Sequence, residues 1–213
     1  ESRKTIRLCN ELIELGVDNI IVVNDGCNLS KSYVNDLKSF GCHIINHTSN
    51  KGKGASIKTG IKHAMDNLYN IKGFITVDAD GQHKAEDVMK IGRAMDLRPD
   101  NLILGCRDFK KSKAPFKLRF GNKLSSFYFS VITGTKCKDT QTGLRGIPAS
   151  LYELAMDTKG NRFDFEMNFL TRCADRKIPF YNVGIVADYS DNDNSNFYKY
   201  QGQHQNLETN TTK

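Results

Sequence analysis

The chain has 213 residues, with 31 lysines and arginines against 24 aspartates and glutamates, a formal net charge of +7, 38% apolar residues and a mean hydropathy of −0.50. This predicts one soluble domain with a sizeable core and excludes a bilayer-spanning segment, because no apolar run approaches the roughly 18 residues that one needs. The six cysteines (Cys9, Cys27, Cys42, Cys106, Cys137, Cys173) include no Cys-x-x-Cys pair, which argues against a zinc site or a disulfide framework and for reduced thiols in a cytosolic protein.

Glu1-Ser2-Arg3-Lys4 leads into a helical pattern rather than an apolar signal core. From Thr5 to Leu15, Leu8, Leu12 and Leu15 share one helical face, and Gly16 stops the helix. Ile20-Ile21-Val22-Val23 is an apolar strand of the parallel-sheet type, followed by an Asn24-Asp25-Gly26 turn. Ser30 caps a helix running to Phe40, and a short strand spans about 43–46. Asn50-Lys51-Gly52-Lys53-Gly54 is a loop entering a helix over about 55–69, and a strand at 74–77 runs into Asp78-Ala79-Asp80-Gly81-Gln82-His83. A helix over about 86–97 and a strand at 102–105 complete a strand–helix alternation, which predicts an α/β fold with a mostly parallel sheet flanked by helices.

The second half is less regular. Lys110, Lys111, Lys113, Lys117, Arg119 and Lys123 crowd one short basic stretch, either a solvated loop or an anion-binding surface. Residues 118–132 have helical character and are rich in Phe and Tyr; their placement in a core or in a membrane interface is open. Residues 139–146 read as a polar turn, 162–176 as a helix and 180–186 as a strand. From Ser190 onward the chain is rich in Asn, Gln and Asp and poor in apolar residues, which predicts a polar, partly disordered tail over 190–213 after a catalytic domain over 1–189.

An apolar strand ending in two carboxylates spaced i, i+2 delivers hard oxygen ligands to a sheet edge, where they can hold Mg²⁺ or Mn²⁺. In open parallel sheets, ligands bind beyond the carboxyl ends of the strands. Asp25, the pair Asp78 and Asp80, and Arg107 each follow such a strand, so the fold is expected to bring them to one face. The glycine–lysine loop is not a Walker motif, because Gly54 stands where Ser or Thr is required.

These residues, with Gly105-Cys106-Arg107, Asp139-Thr140-Gln141-Thr142-Gly143-Leu144-Arg145-Gly146 and Phe163-Asp164-Phe165-Glu166, resemble in order and spacing a family 2 glycosyltransferase with the Rossmann-like GT-A fold. The similarity is greatest to the branch that moves a hexose onto a polyprenyl phosphate, the dolichyl-phosphate mannosyltransferase-like enzymes. The resemblance implies that Asp25, Lys53, Asp78, Asp80 and Thr142 bind the nucleotide-sugar. It implies a metal, Mg²⁺ or Mn²⁺, on Asp78, Asp80 and Gln82, and a catalytic set of Asp80, Asp139, Gln141, Arg145 and Glu166. Arg107, Lys113 and Arg119 would meet the acceptor phosphate. The implied partners are a UDP- or GDP-linked sugar, a lipid phosphate and a membrane surface or membrane protein, with no nucleic acid, at the cytoplasmic face of the membrane.

Attack on the anomeric carbon from the face opposite the leaving diphosphate would invert its configuration. A phosphate acceptor needs no general base, since its second pKa is about 6. A saccharide hydroxyl would need one, with Asp139 or Glu166 as the candidates. The resemblance also implies an opening strand before the first helix, which this sequence does not contain. Ala85 replaces a usual proline, and Cys27 a common serine. Three rivals fit less well. A haloacid dehalogenase-type phosphohydrolase requires Thr where Gln82 stands, and a sugar nucleotidyltransferase requires an early glycine-rich phosphate loop. A basic membrane- or polyanion-binding module would show no metal-dependent nucleotide-sugar binding.

Overall fold

The computed structural model describes residues 2–108 and 116–186. The predicted basic loop at 110–117, including Lys113, lies largely outside them, as does the 190–213 tail. In chain order the elements are α1 (Ser2–Glu14), β1 (Ile21–Asn24), α2 (Lys31–Ser39), β2 (His43–Asn46), α3 (Lys53–Asn67), β3 (Gly73–Thr76), α4 (Ala85–Leu97) and β4 (Leu102–Arg107). Then come α5 (Phe116–Thr133), β5 (Arg145–Pro148), a 3-10 turn (Ala149–Leu151), α6 (Tyr152–Met156), α7 (Asp164–Asp175) and β6 (Phe180–Ile185).

The strands form two sheets. β1 and β2 pair in parallel, and the other four are ordered β3-β5-β4-β6. β4 pairs with β6 in parallel, but β5 runs antiparallel to both β3 and β4, so the pairing is mixed rather than mostly parallel. β5 stands where the sequence predicts the end of a polar turn, because Arg145-Gly146-Ile147-Pro148 has one large apolar residue and no alternation to mark a strand. β4 is the central strand and is buried on both faces. Leu102, Leu104 and Cys106 pack against α3 and α7 through Ile61, Phe165, Phe169 and Leu170. Ile103 points the other way, toward Leu8 and Leu12 of α1 and Val88 and Ile91 of α4. Helices therefore cover both faces, as the period-2 alternation of a doubly buried strand requires.

β1 and β3 are not joined by a ladder, and each is only half-buried along its whole length. α1 spans the join. Leu8 and Leu12 belong to the cluster beside β4, while Cys9 packs with Tyr33, Leu37 and Cys42 beside β2.

Candidate active site

The site begins where β1 and β2 end. Their register pairs Asn24 with Asn46, which sets Asp25 opposite His47 one residue further on. Gly26 has φ +80°, and a Cβ there would lie 2.5 Å from the Ser49 carbonyl carbon, so the loop after β2 passes directly over this turn. The Asp25 carboxylate accepts the Lys51 N–H on Oδ1 and the Gly52 N–H on Oδ2, each at 2.8 Å. His47 Nδ1 is 2.7 Å from Oδ1. A carboxylate only accepts, so Nδ1 carries a proton, and Nε2 is hydrogen-bonded to the Thr59 hydroxyl at 2.9 Å. Burial works against the charged Asp25, but His47 and the two backbone N–H groups outweigh it and hold the carboxyl below its ordinary pKa. Asp25 thus clamps the loop that carries Lys53. His47 escaped the sequence reading, although its position immediately after the neighbouring parallel strand was a usable signal.

The clamped loop packs on the segment leading into α7. Gly52 has φ +101°, and a Cβ on it would stand 2.5 Å from the Asn161 carbonyl oxygen; one on Gly54 would stand 2.4 Å from Phe165 Cβ. This close approach brings Lys53 to Glu166, with Nζ 2.9 Å from Oε2, and the same ammonium is 2.7 Å from Oδ1 of Asp78 beyond the end of β3. Burial alone would lower the Lys53 pKa, but Asp78 and Glu166 overcome it and raise it. Burial likewise opposes the Asp78 charge, and His83 and Lys53 hold its carboxyl well below the usual carboxylate range. The His83 contact is the longer one, Nε2 to Oδ2 at 3.8 Å. Two buried polar atoms at this cluster, Glu166 Oε1 and His83 Nδ1, have no hydrogen-bond partner.

Two residues after Asp78, Asp80 accepts the Gln82 N–H on Oδ1 at 3.0 Å in a turn that Gly81 allows with φ +80°. Asp78 is bonded to Lys53 and faces His83, and of the expected ligands Asp78, Asp80 and Gln82 it is Asp80 and the nearby Gln82 amide oxygen that could hold a cation without displacing Lys53. Among the described residues no group of three or more His, Cys, Asp or Glu side chains could hold a metal unaided. The donor set still fits Mg²⁺ or Mn²⁺, which prefer oxygen and commonly bind through one or two carboxylates, water and substrate phosphates.

The 139–146 segment corrects several expectations. Asp139 is 1% exposed and receives a fork from Arg107, Nε to Oδ2 at 2.7 Å and Nη2 to Oδ1 at 2.8 Å, so Arg107 spends this fork inside the protein instead of on a phosphate. Arg145, 2% exposed, gives its donors to the carbonyls of Thr142, Glu166 and Thr140. It holds the turn together from within and does not face a ligand. Thr142 is also buried, its hydroxyl accepting the Leu144 N–H, so it is not placed to touch a sugar; Gln141 is exposed. A buried arginine was illegible because three backbone acceptors converge on it only in the fold.

This rigid turn lays Gly143 on Asp78. A Cβ there would sit 2.1 Å from Asp78 Oδ2, and the Gly143 carbonyl accepts from the Thr76 hydroxyl at 2.8 Å. The structure therefore brings Asp25, Lys53, Asp78 and Glu166 into one connected network, with Asp80 and Gln82 following in the adjoining turn and the Asp139–Arg145 turn packed on Asp78. Arg119 is exposed in the first turn of α5.

The fold and sequence have recognisable counterparts. A protein of Methanocaldococcus jannaschii is 32% identical over 83% of this chain and 72% of its own length. The UDP-N-acetylglucosamine–dolichyl-phosphate N-acetylglucosaminyltransferase of Methanococcus voltae is 26% identical over 90% of this chain and 83% of its own. The polyprenol monophosphomannose synthase of Mycolicibacterium smegmatis is 24% identical over 70% and 60%. Among solved structures, glucosyl-3-phosphoglycerate synthase of Mycobacterium tuberculosis, in complex with Mn²⁺, UDP and glucosyl-3-phosphoglycerate, superposes with a TM-score of 0.60 at 13% identity, covering 88% of this chain and 67% of that one. The family model for glycosyl transferase family 2 matches residues 3–153, which include Asp25, Lys53, Asp78, Asp80, Arg107 and Asp139, and the chain belongs to that family.

Proposed function

We propose that this protein transfers a sugar from a nucleoside diphosphate donor to the phosphate of a polyprenyl-type lipid, with Mg²⁺ or Mn²⁺ bound at Asp80 and Gln82. The observation that carries the reading is the Lys53–Asp78–Glu166 cluster at the end of β3, beside a turn that leaves Asp80 available. The metal would supply Lewis-acid stabilisation to the departing diphosphate. Lys53 holds a fixed positive charge near the same place, and the Asp25 clamp keeps its loop in position.

The acceptor class follows from the state of the carboxylates. Asp139 is buried under the Arg107 fork, and Glu166 is bonded to the Lys53 ammonium. Neither is placed as a free general base, which a hydroxyl acceptor would need and an ionised phosphate would not. The names of the relatives from M. voltae and M. smegmatis, and of a dolichyl-phosphate β-glucosyltransferase of Trichomonas vaginalis, support a lipid phosphate. The test is a thermal-shift panel of UDP- and GDP-sugars with and without Mn²⁺, on the wild type and on Asp80→Ala. The expected result is a metal-dependent shift with one nucleotide class, lost in the variant. No shift with any donor, or one that Asp80→Ala leaves intact, would overturn the reading.

A further inference from the structure

β6 closes one end of the four-stranded sheet and pairs on one side alone, with β4. In a parallel strand each residue turns its N–H and C=O to the same side, and successive residues alternate sides. The Pro179 carbonyl accepts from the Leu102 N–H and the Ile185 carbonyl from the Asp108 N–H, so the odd-numbered residues of β6 face β4. Phe180, Asn182 and Gly184 therefore point their backbone groups outward, and among the described residues these groups have no hydrogen-bond partner. At Val186 the same direction is closed, because the Asp87 carboxylate of α4 accepts its N–H at 3.2 Å. A Cβ on Gly184 would meet nothing within 4 Å, so the sheet stands open at that position.

The same strand and α4 frame a groove of about 510 Å³. Its apolar part is made by Tyr181, Val183 and Leu97, the last 83% exposed. Its cations are Lys90, Arg93 and Arg98, all exposed, and the Arg98 guanidinium lies over the Tyr181 ring at 4.2 Å. No aspartate or glutamate lines it. Arg176 and Lys177, exposed in the turn before β6, carry the positive charge to the start of the strand.

We propose that this edge docks an extended acidic segment of a partner protein, which adds to the sheet as a further strand beside β6 and sets carboxylates at every second position against Lys90, Arg93 and Arg98. Backbone and charge together select the occupant. The outward N–H and C=O groups of Phe180, Asn182 and Gly184 match another polypeptide backbone, whereas a nucleic acid or a lipid has no alternating donors and acceptors to offer them. Alternate side chains of an added strand fall on the α4 face, and a groove with cations and no carboxylate is complemented there by acids. A second copy of β6 paired antiparallel would bring its own α4 cations to the same face of the joined sheet, like charge beside like. None of these residues belongs to the Lys53–Asp78–Glu166 cluster, so the docking goes beyond the transferase reading and does not depend on it.

The experiment is fluorescence anisotropy of the full chain with a labelled peptide of alternating glutamate and threonine, about eight residues long, at low and high salt. A lysine–threonine peptide of the same length is the control. Hydrogen exchange and light scattering are recorded on the same samples. The wild type should be monomeric, bind the acidic peptide saturably and less tightly at high salt, and leave the basic one unbound. Exchange at the Phe180, Asn182 and Gly184 amides should slow when the acidic peptide is added. Arg93→Glu/Arg98→Glu should weaken binding tenfold or more. Gly184→Pro removes one outward N–H without touching the β4 ladder and should weaken it about fivefold. Both variants should keep the wild-type circular dichroism and melting temperature. Absence of binding, or variants that bind like the wild type, would overturn the proposal. Binding without slower exchange at those amides would overturn strand addition. Slow exchange there in the free monomer would mean that the chain covers its own edge, and a wild-type dimer dissolved by Gly184→Pro would mean that a second copy does; either would overturn the partner reading.

Discussion

Gly143→Ala isolates the role of the turn laid over Asp78. Gly143 does not have a positive φ, so alanine meets no backbone penalty there, and the whole effect is steric. The added Cβ would be 2.1 Å from Asp78 Oδ2 and 2.5 Å from both Cγ and Oδ1, whereas ordinary contact begins near 3.4 Å. The carboxylate must retreat by more than an ångström, roughly enough to break its 2.7 Å contact with Lys53 Nζ. Overpacking of this kind costs about 1–3 kcal/mol, and weakening a partly buried ion pair acts in the same direction. The expected outcome in urea unfolding is a loss of about 1–3 kcal/mol with an unchanged m-value. Donor affinity, measured by calorimetry, should fall by tenfold or more, since the carboxylate and the ammonium move together. Gly184→Ala is the control, because a Cβ there meets nothing within 4 Å. If Gly143→Ala matched that control in both stability and affinity, the reasoning that Gly143 sets the position of Asp78 would be refuted.

Other outcomes follow from the same geometry. Asp78 is depressed, so its contribution to stability is present above the unfolded value of about 4 and lost as pH falls through the lower folded value; Lys53 is raised, so its contribution is intact below about 10 and lost only at higher pH. Lys53→Met should therefore show its largest stability deficit at neutral pH, shrinking as pH falls toward the depressed Asp78 value, below the ordinary carboxylate range; a deficit independent of pH would contradict the ion-pair account. Arg107→Met strands the buried Asp139 and should cost about 3–5 kcal/mol, most of which Arg107→Met/Asp139→Leu recovers in denaturant melts. His47→Ala removes the side-chain partner of Asp25 and should cost about 1.5–3 kcal/mol, with weaker donor binding by calorimetry; unaltered donor binding would mean that the clamp does not position the Lys53 loop.

What the sequence disclosed and what it hid differ in physical kind. β1, β3 and β4 are apolar runs ending in polar residues, so both the strands and the gathering of Asp25, Asp78 and Arg107 near one end of the sheets were legible. The conversion of Arg107 and Asp139 from ligand contacts into an interior pair was not, because a charged residue in sequence carries no mark of burial and the fork closes across 32 residues. Lys53 and Glu166 met for a similar reason. Their approach depends on Gly52 and Gly54 packing against 161–165, contacts between loops that no periodicity encodes. The aromatic run of α5 left core and interface both open at the level of sequence. The fold divides it, burying Phe129 and leaving Phe127, Val131 and Ile132 outside.

The site also lies across the break between the two sheets. Asp25 follows a strand of one sheet and Asp78 a strand of the other, and no backbone ladder connects β1 to β3. Among the described residues, α1 joins the halves on one face through Leu8, Leu12 and Cys9, while α3 carries Lys53 from the Asp25 clamp to Asp78. A ligand held by both the Lys53 loop and Asp80 acts on the same joint, so its binding free energy becomes stability of the whole domain instead of one half.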